Sequence, residues 1–364
     1  MSGLITESRR ADLVVGDLAE AGIDALLVND LVNVRYLTGY TGSNGLALVG
    51  PALRVFITDF RYVEQAAEEV DASFERVRAP QDLLDFVGEV LSGDDPIRLG
   101  FDDAHTSVRA HARLREKLPE RIELIPAAEI VERRRRVKSA DEIERIHAAS
   151  RIADAALETL LAGGLVGRTE RELALALERG MQELGAESPS FEPIVAAGPH
   201  GALPHAQPRD VKVERGQLVV IDWGARLAGY CSDCTRTVAT GELDGEARDV
   251  YELVQHAQLT GLEAVRAGAA GVEVDAEVRE LIAAAGHGER YGHGLGHGVG
   301  LEVHEAPRLS QRSEDTLEAG NVVTVEPGVY LTGRFGVRIE DLVVVAEDGC
   351  EILTGLDKGL RVVD

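Results

Sequence analysis

The chain has 364 residues, with 38 Lys or Arg against 63 Asp or Glu and a formal net charge of -25. At about 100 to 200 residues per domain this length gives two domains, and a 45% apolar content supports a packed core and excludes a disordered chain. So acidic a surface repels phosphate, which excludes nucleic acid and anionic lipid as partners.

No uncharged apolar run reaches the roughly 18 residues of a membrane span. Glu7, Arg9 and Arg10 stand where a signal peptide needs an apolar stretch, so the sequence reads as cytoplasmic. Cys231, Cys234 and Cys350 are too few, and odd in number, for a disulfide framework.

An amphipathic segment reaching Ala21 opens the chain. Apolar runs at 25–28, 46–49 and 55–57 follow, then a helix from Tyr62 and a strand-like segment at 97–100. This alternation predicts an α/β domain over residues 1–132. A basic run, Glu132 to Lys138 (ERRRRVK), marks the boundary, and on so acidic a protein its arginines are expected to pair with nearby carboxylates. Over residues 133–364 the pattern becomes α+β. Ser139 with Glu142, and Thr169 with Glu172, form capping boxes that open helices, the first running to about Leu161. Two more helices are predicted over 245–267 and 272–285.

Strands lie between and after these helices, and they carry an internal repeat. GQLVVIDWG (216–224) and GNVVTVEPG (320–328) share one pattern: Gly, amide, four strand formers, acid, any residue, Gly. The acids are Asp222 and Glu326. Each segment leads through a turn to a return strand with another acid, Asp233 in YCSDCTRTVA and Glu340 in GVRIEDLVVV. A carboxylate among buried strand residues is costly unless it is paired or binds a metal. One such acid is explained by an arginine partner. Four in a repeated arrangement need a strong common counter-charge, which a pair of divalent ions supplies.

A nitrogen ligand is expected beside them. GHGLGHGVG (292–300) offers His293 and His297 with Gly at every second position; in extended form it puts the glycines on one face, open to a neighbouring backbone, and both histidines on the other. His304 follows on a predicted strand, and His205 lies in a loop after Gly-Pro. The glycine run fits G-x-G-x-x-G in no register, which excludes dinucleotide binding there. Cys231 and Cys234 resemble a redox or zinc half-site, but strand positions three apart face opposite ways at about 10 Å, beyond disulfide reach of roughly 7 Å. They read as packing. Period two aligns Arg338 with Glu340 and Thr235 with Asp233.

On the segments IDWGA, SDCTRT, GHGLGHGVGLEVHE, TVEPGVY and VRIEDLV the chain resembles the pita-bread metallopeptidases that include Xaa-Pro aminopeptidase, prolidase and methionine aminopeptidase. RYLTGYTGSNG and TDFRYVEQA are similar to the creatinase-like amino-terminal domain of the proline-specific branch. The resemblance implies an α+β pita-bread catalytic domain with a pseudo-twofold repeat. It implies two divalent ions held by Asp222, Asp233, His297, Glu326 and Glu340, with Asp233 and Glu340 bridging. Mn²⁺ suits such carboxylate-rich ligands, and Co²⁺, Fe²⁺ or Zn²⁺ can occupy them. The ion pair acidifies a water that attacks the scissile carbonyl, Glu326 shuttles the proton, and His304 or His293 polarises the oxyanion. His205, His293, His304 and Arg338 fall at substrate-binding positions. The expected substrate is a peptide with proline second, cleaved by an Xaa-Pro aminopeptidase; the alternatives are a dipeptide-restricted prolidase and, remotely, a non-catalytic binding module on the same fold. Creatinase, a metal-free hydrolase of that fold, lacks the ligand set present here. A homodimer is expected from the same resemblance.

Overall fold

The computed structural model describes residues 7–364. The opening residues MSGLIT, part of the segment on which the leader and first-helix readings rest, lie outside the described residues. The chain divides into two compact units, 1–135 and 136–364.

In the first unit the apolar runs become β1 (Ala25–Val28), β2 (Leu46–Gly50), β3 (Leu53–Thr58) and β5 (Ile97–Phe101). With β4 (Glu75–Arg78) and β6 (Ile122–Pro126) they form one sheet of order β4-β3-β2-β1-β5-β6. β1 and β2 are buried along their whole length, so they read as continuous apolar runs without alternation. β4 has the sequence ERVR and is mostly exposed, which is why it gives no apolar signal. The basic run, which marks only a boundary in the sequence, is largely helical (Ile130–Arg136), and Arg134 pairs with Asp17.

In the second unit both capping boxes form. Ser139 N donates to Glu142 Oε2 at 2.9 Å, ahead of helix Ala140–Ala162. Thr169 N donates to Glu172 Oε2 at 2.8 Å and Glu172 N to Thr169 Oγ1 at 3.1 Å, ahead of helix Glu170–Glu183. Two reciprocal bonds satisfy amides that a helix start leaves unpaired. Helices Gly245–Ala264 and Gly271–Ala284 follow, the first ending before 267 because Val265 turns extended.

The sequence repeat is a structural repeat. Leu218–Trp223 pairs antiparallel with Cys234–Ala239, setting Asp222 opposite Thr235. Val322–Val325 pairs with Asp341–Ala346 in the same sense, and Glu326 lies one residue beyond it. Trp223, fully buried, anchors the first pair by donating Nε1–H to Ala153 O at 2.8 Å. One detail departs from the alternation. Asp233 and Glu340 sit in breaks of their return segments, each one residue before the strand resumes. The break frees both acids from the pleat, and the Glu340 amide crosses to Thr235 O at 3.1 Å, joining the two halves.

Of the glycine run only Gly296–Gly298 is a strand, so His293 lies in a bend and not on one extended face with His297. The glycines do admit neighbouring backbone. A Cβ on Gly296 would stand 1.9 Å from Thr324 O, and one on Gly298 2.3 Å from Ala306 O. His304 likewise precedes strand Glu305–Leu309 and is not within it.

Candidate metal centre

A cavity of about 650 Å³ opens in the second unit. Its wall contains every site residue the sequence singles out: Asp222, Asp233, His297, Glu326 and Glu340, together with His205, His293, His304 and Arg338. Asp222, Asp233 and Glu340 bring carboxylate oxygens within 4.8 Å of one another. His297 Nε2 faces Glu326 Oε1 at 3.3 Å and Asp233 Oδ2 at 3.7 Å.

Hydrogen bonds aim these groups. Thr235 Oγ1–H donates to Glu340 Oε2 at 2.7 Å, and Thr324 Oγ1–H donates to Glu326 Oε1 at 3.0 Å. Arg338 donates from Nη2 to Asp222 Oδ2 (2.6 Å), from Nε to Thr235 Oγ1 (3.0 Å) and from Nη1 to Tyr330 Oη (2.9 Å) and Pro204 O (3.2 Å). The guanidinium is therefore consumed inside the protein. His293 is also engaged at both nitrogens, by Gly294 O at 2.8 Å and Tyr330 Oη at 2.9 Å. A carbonyl only accepts, so Nδ1 carries the proton and neutral Nε2 accepts from the tyrosine.

The electrostatics call for cations. Burial first, and then neighbouring carboxylates, push Asp233 and Glu340 well above the ordinary carboxyl range. Burial also raises Asp222, against the opposing pull of Arg338. Glu326 is drawn down, burial being outweighed by its hydrogen bond to His297 and by the charge there. Burial and the adjacent His297 ring, 4.3 Å away between centroids, push His304 down to about 4.

Two observations test the fit of a metal. Asp222 Oδ1 is buried without a hydrogen-bond partner. His297 Nδ1 faces Gly298 O at 3.1 Å, which holds a proton on that nitrogen, so Nε2 can exchange the proton it shares with Glu326 for an ion and give its lone pair to the metal. Convergent carboxylate and imidazole donors whose charges need a common cation suit a divalent ion, and a donor set of carboxylates with one imidazole belongs to the harder divalent metals. A second cluster, Asp102, His105 and Glu132 in the first unit, differs because its groups already have partners: Asp102 pairs with His105 at 2.7 Å, and Glu132 accepts from Asn33 at 2.6 Å.

Two residues at the site escape the sequence reading, one behind the cavity wall and one in it. Tyr330 bridges His293 and Arg338. Arg308 lines the cavity with an exposed side chain. Neither has a local signal, because Tyr330 on strand Gly328–Leu331 and Arg308 on strand Glu305–Leu309 acquire their neighbours only through tertiary packing.

Buried carboxylates and an imidazole converging at the mouth of a duplicated β framework define a metallohydrolase. The chain belongs to metallopeptidase family M24, whose sequence profile matches residues 144–347, and a creatinase/prolidase amino-terminal domain matches residues 10–137. The family uses a dinuclear divalent metal centre. An Xaa-Pro dipeptidase structure from Bacillus anthracis superposes with a TM-score of 0.94 at 39% identity, covering 98% of this chain and 100% of that one. An X-Pro aminopeptidase structure from Thermotoga maritima gives 0.89 at 38% identity, covering 97% and 100%. The Xaa-Pro dipeptidase of Pyrococcus furiosus is 35% identical over 353 residues, 96% of this chain and 99% of that protein. The pita-bread fold and the two-domain architecture expected from the sequence are those of the family.

Proposed function

We propose that the chain is an Xaa-Pro dipeptidase that binds two divalent ions through Asp222, Asp233, His297, Glu326 and Glu340, with Mn²⁺ the best match to the ligands. The named relatives favour this dipeptide-restricted alternative over the aminopeptidase reading. The observation that carries it is Arg308. A dipeptide leaves the proline carboxylate in the site, where it needs a positive partner. Arg338 and His293 are already bonded within the protein, whereas Arg308 presents an exposed guanidinium in the same wall.

Bound ions would polarise the scissile carbonyl and activate a water for attack. The remaining work belongs to side chains. Glu326, held ionised beside His297, accepts and returns the proton. His304 stays neutral near pH 7, since its pKa is held to about 4, and offers one N–H to the developing oxyanion. His205 contacts the substrate from the facing loop. Arg338 fixes Asp222 and Tyr330, and Tyr330 fixes the His293 ring.

We assign residues 1–132 to the creatinase-like domain and 133–364 to the catalytic domain. We also place the protein in the cytoplasm as a homodimer. Its three cysteines are free, and among the described residues no helix is long and apolar enough to cross a membrane. Sedimentation at micromolar concentration tests the dimer, and a fully active monomer refutes it. The substrate class is tested by kcat/KM on Xaa-Pro against Xaa-Pro-Xaa of increasing length. Cleavage confined to the dipeptide is expected. Comparable rates on longer peptides would restore the aminopeptidase reading.

A further inference from the structure

The loop carrying His205 has no regular structure of its own beyond the short 3₁₀ turn Gly198–Ala202, yet Pro204, His205, Ala206, Gln207 and Pro208 form one wall of the cavity. Such a segment needs an external brace to hold a side chain to the tolerance that binding requires. One flank is held by Arg338, through Pro204 O. The other is held by a residue outside the cavity.

Glu170 is the first residue of helix Glu170–Glu183 and has no exposed surface. Its carboxylate is a hub for the whole loop. Ala197 N, where the loop leaves strand Ile194–Ala197, donates to Oε1 at 2.9 Å. His200, within the 3₁₀ turn, places Nδ1 2.9 Å from Oε2. Arg209, where the loop ends, donates its backbone N at 3.0 Å and its side-chain Nε at 3.1 Å to Oε2. Beginning, middle and end of the segment thus meet on one buried anion. The main chain repeats the pattern, since Arg171 N donates to Arg209 O at 3.1 Å and Glu170 N to Val211 O at 3.1 Å.

A buried carboxylate is worth its desolvation only if its lone pairs are all used, and here they are. The helix N-terminus adds its own favourable field for an anion. The Thr169–Glu172 capping box needs no help from Glu170, because Glu172 completes it. The position therefore serves the loop and not the helix start.

We propose that Glu170 is a positioning residue for substrate binding, which sets the place of His205 by gathering the loop 197–209 onto its carboxylate. The inference rests on the assignment of His205 to the substrate made above. Its signature is a KM effect: the metal ligands do not touch Glu170, so metal content and the chemical step are untouched while the cavity wall loosens.

A double-variant cycle with an Xaa-Pro substrate tests this. Glu170→Gln keeps the shape but sets an N–H against donors, and should raise KM roughly ten-fold with kcat within about two-fold and metal content unchanged. In a His205→Ala background the same change should add less than about two-fold, because the two residues act as one unit. An unchanged KM, or a full independent effect in that background, overturns the proposal. If Glu170→Gln yields no folded protein, His200→Ala, which removes only the mid-loop tie, enters the same cycle under the same two criteria. If His205→Ala alone leaves KM unchanged, the substrate assignment has failed, and amide exchange in residues 198–208 decides the brace. Faster exchange there in Glu170→Gln supports it, and unchanged protection overturns it.

Discussion

Replacing Arg308 by alanine gives the sharpest test of what the cavity recognises. The side chain lies outside the metal cluster, so its loss should leave the ions and their ligands in place. If it grips the proline carboxylate, it contributes a charge-assisted hydrogen bond, worth about 1.5 to 3 kcal/mol. Arg308 is exposed, so solvent competes with the contact and the lower end of that range applies. At about 1.4 kcal/mol per decade this becomes roughly a ten-fold loss in kcat/KM. The assay compares Xaa-Pro with Xaa-Pro amide, which keeps the scissile bond and removes the charge. Wild type should prefer the acid by about that factor, and Arg308→Ala should lose on the acid while changing little on the amide. Equal losses on both substrates, or none on the acid, would refute the reasoning.

Asp233 faces His297 on one side and Asp222 and Glu340 on the other, so Asp233→Ala should break the whole cluster. Elemental analysis after Mn²⁺ reconstitution should fall from about two ions per chain to below one, because losing a shared ligand unpairs both positions; full loading would remove Asp233 from the ligand set. Gly336→Ala tests the packing of the His205 loop against the strand Phe335–Arg338, since the added Cβ would stand 1.9 Å from Gly201 O, a backbone atom that cannot swing aside. Overpacking of this kind costs about 1 to 3 kcal/mol, so calorimetry should show a fall in Tm of roughly 2 °C or more, and an unchanged Tm would contradict the close approach.

Much of this protein is legible along the chain because its signals are local. Capping boxes at Ser139 and Thr169 span three residues, apolar runs such as 25–28 declare buried strands, and the repeated acid at Asp222 and Glu326 stands out against the strand formers around it. Close backbone approach explains the two glycines that flank His297. What periodicity reports, however, is the face of one element and not the identity of the element it meets. Arg338 reaches Asp222 across 116 positions, Thr235 reaches Glu340 across 105, and Glu170 gathers a loop some 30 to 40 residues away. Those partners became neighbours only when the two strand pairs closed on each other. The closure decided that Arg338 and His293 are spent on internal hydrogen bonds and that Arg308 remains exposed in the cavity. The sequence thus determined which residues carry the chemistry. The tertiary structure decided which of them are still available to a substrate, because a hydrogen-bonding group already satisfied inside the protein has little left to offer outside it.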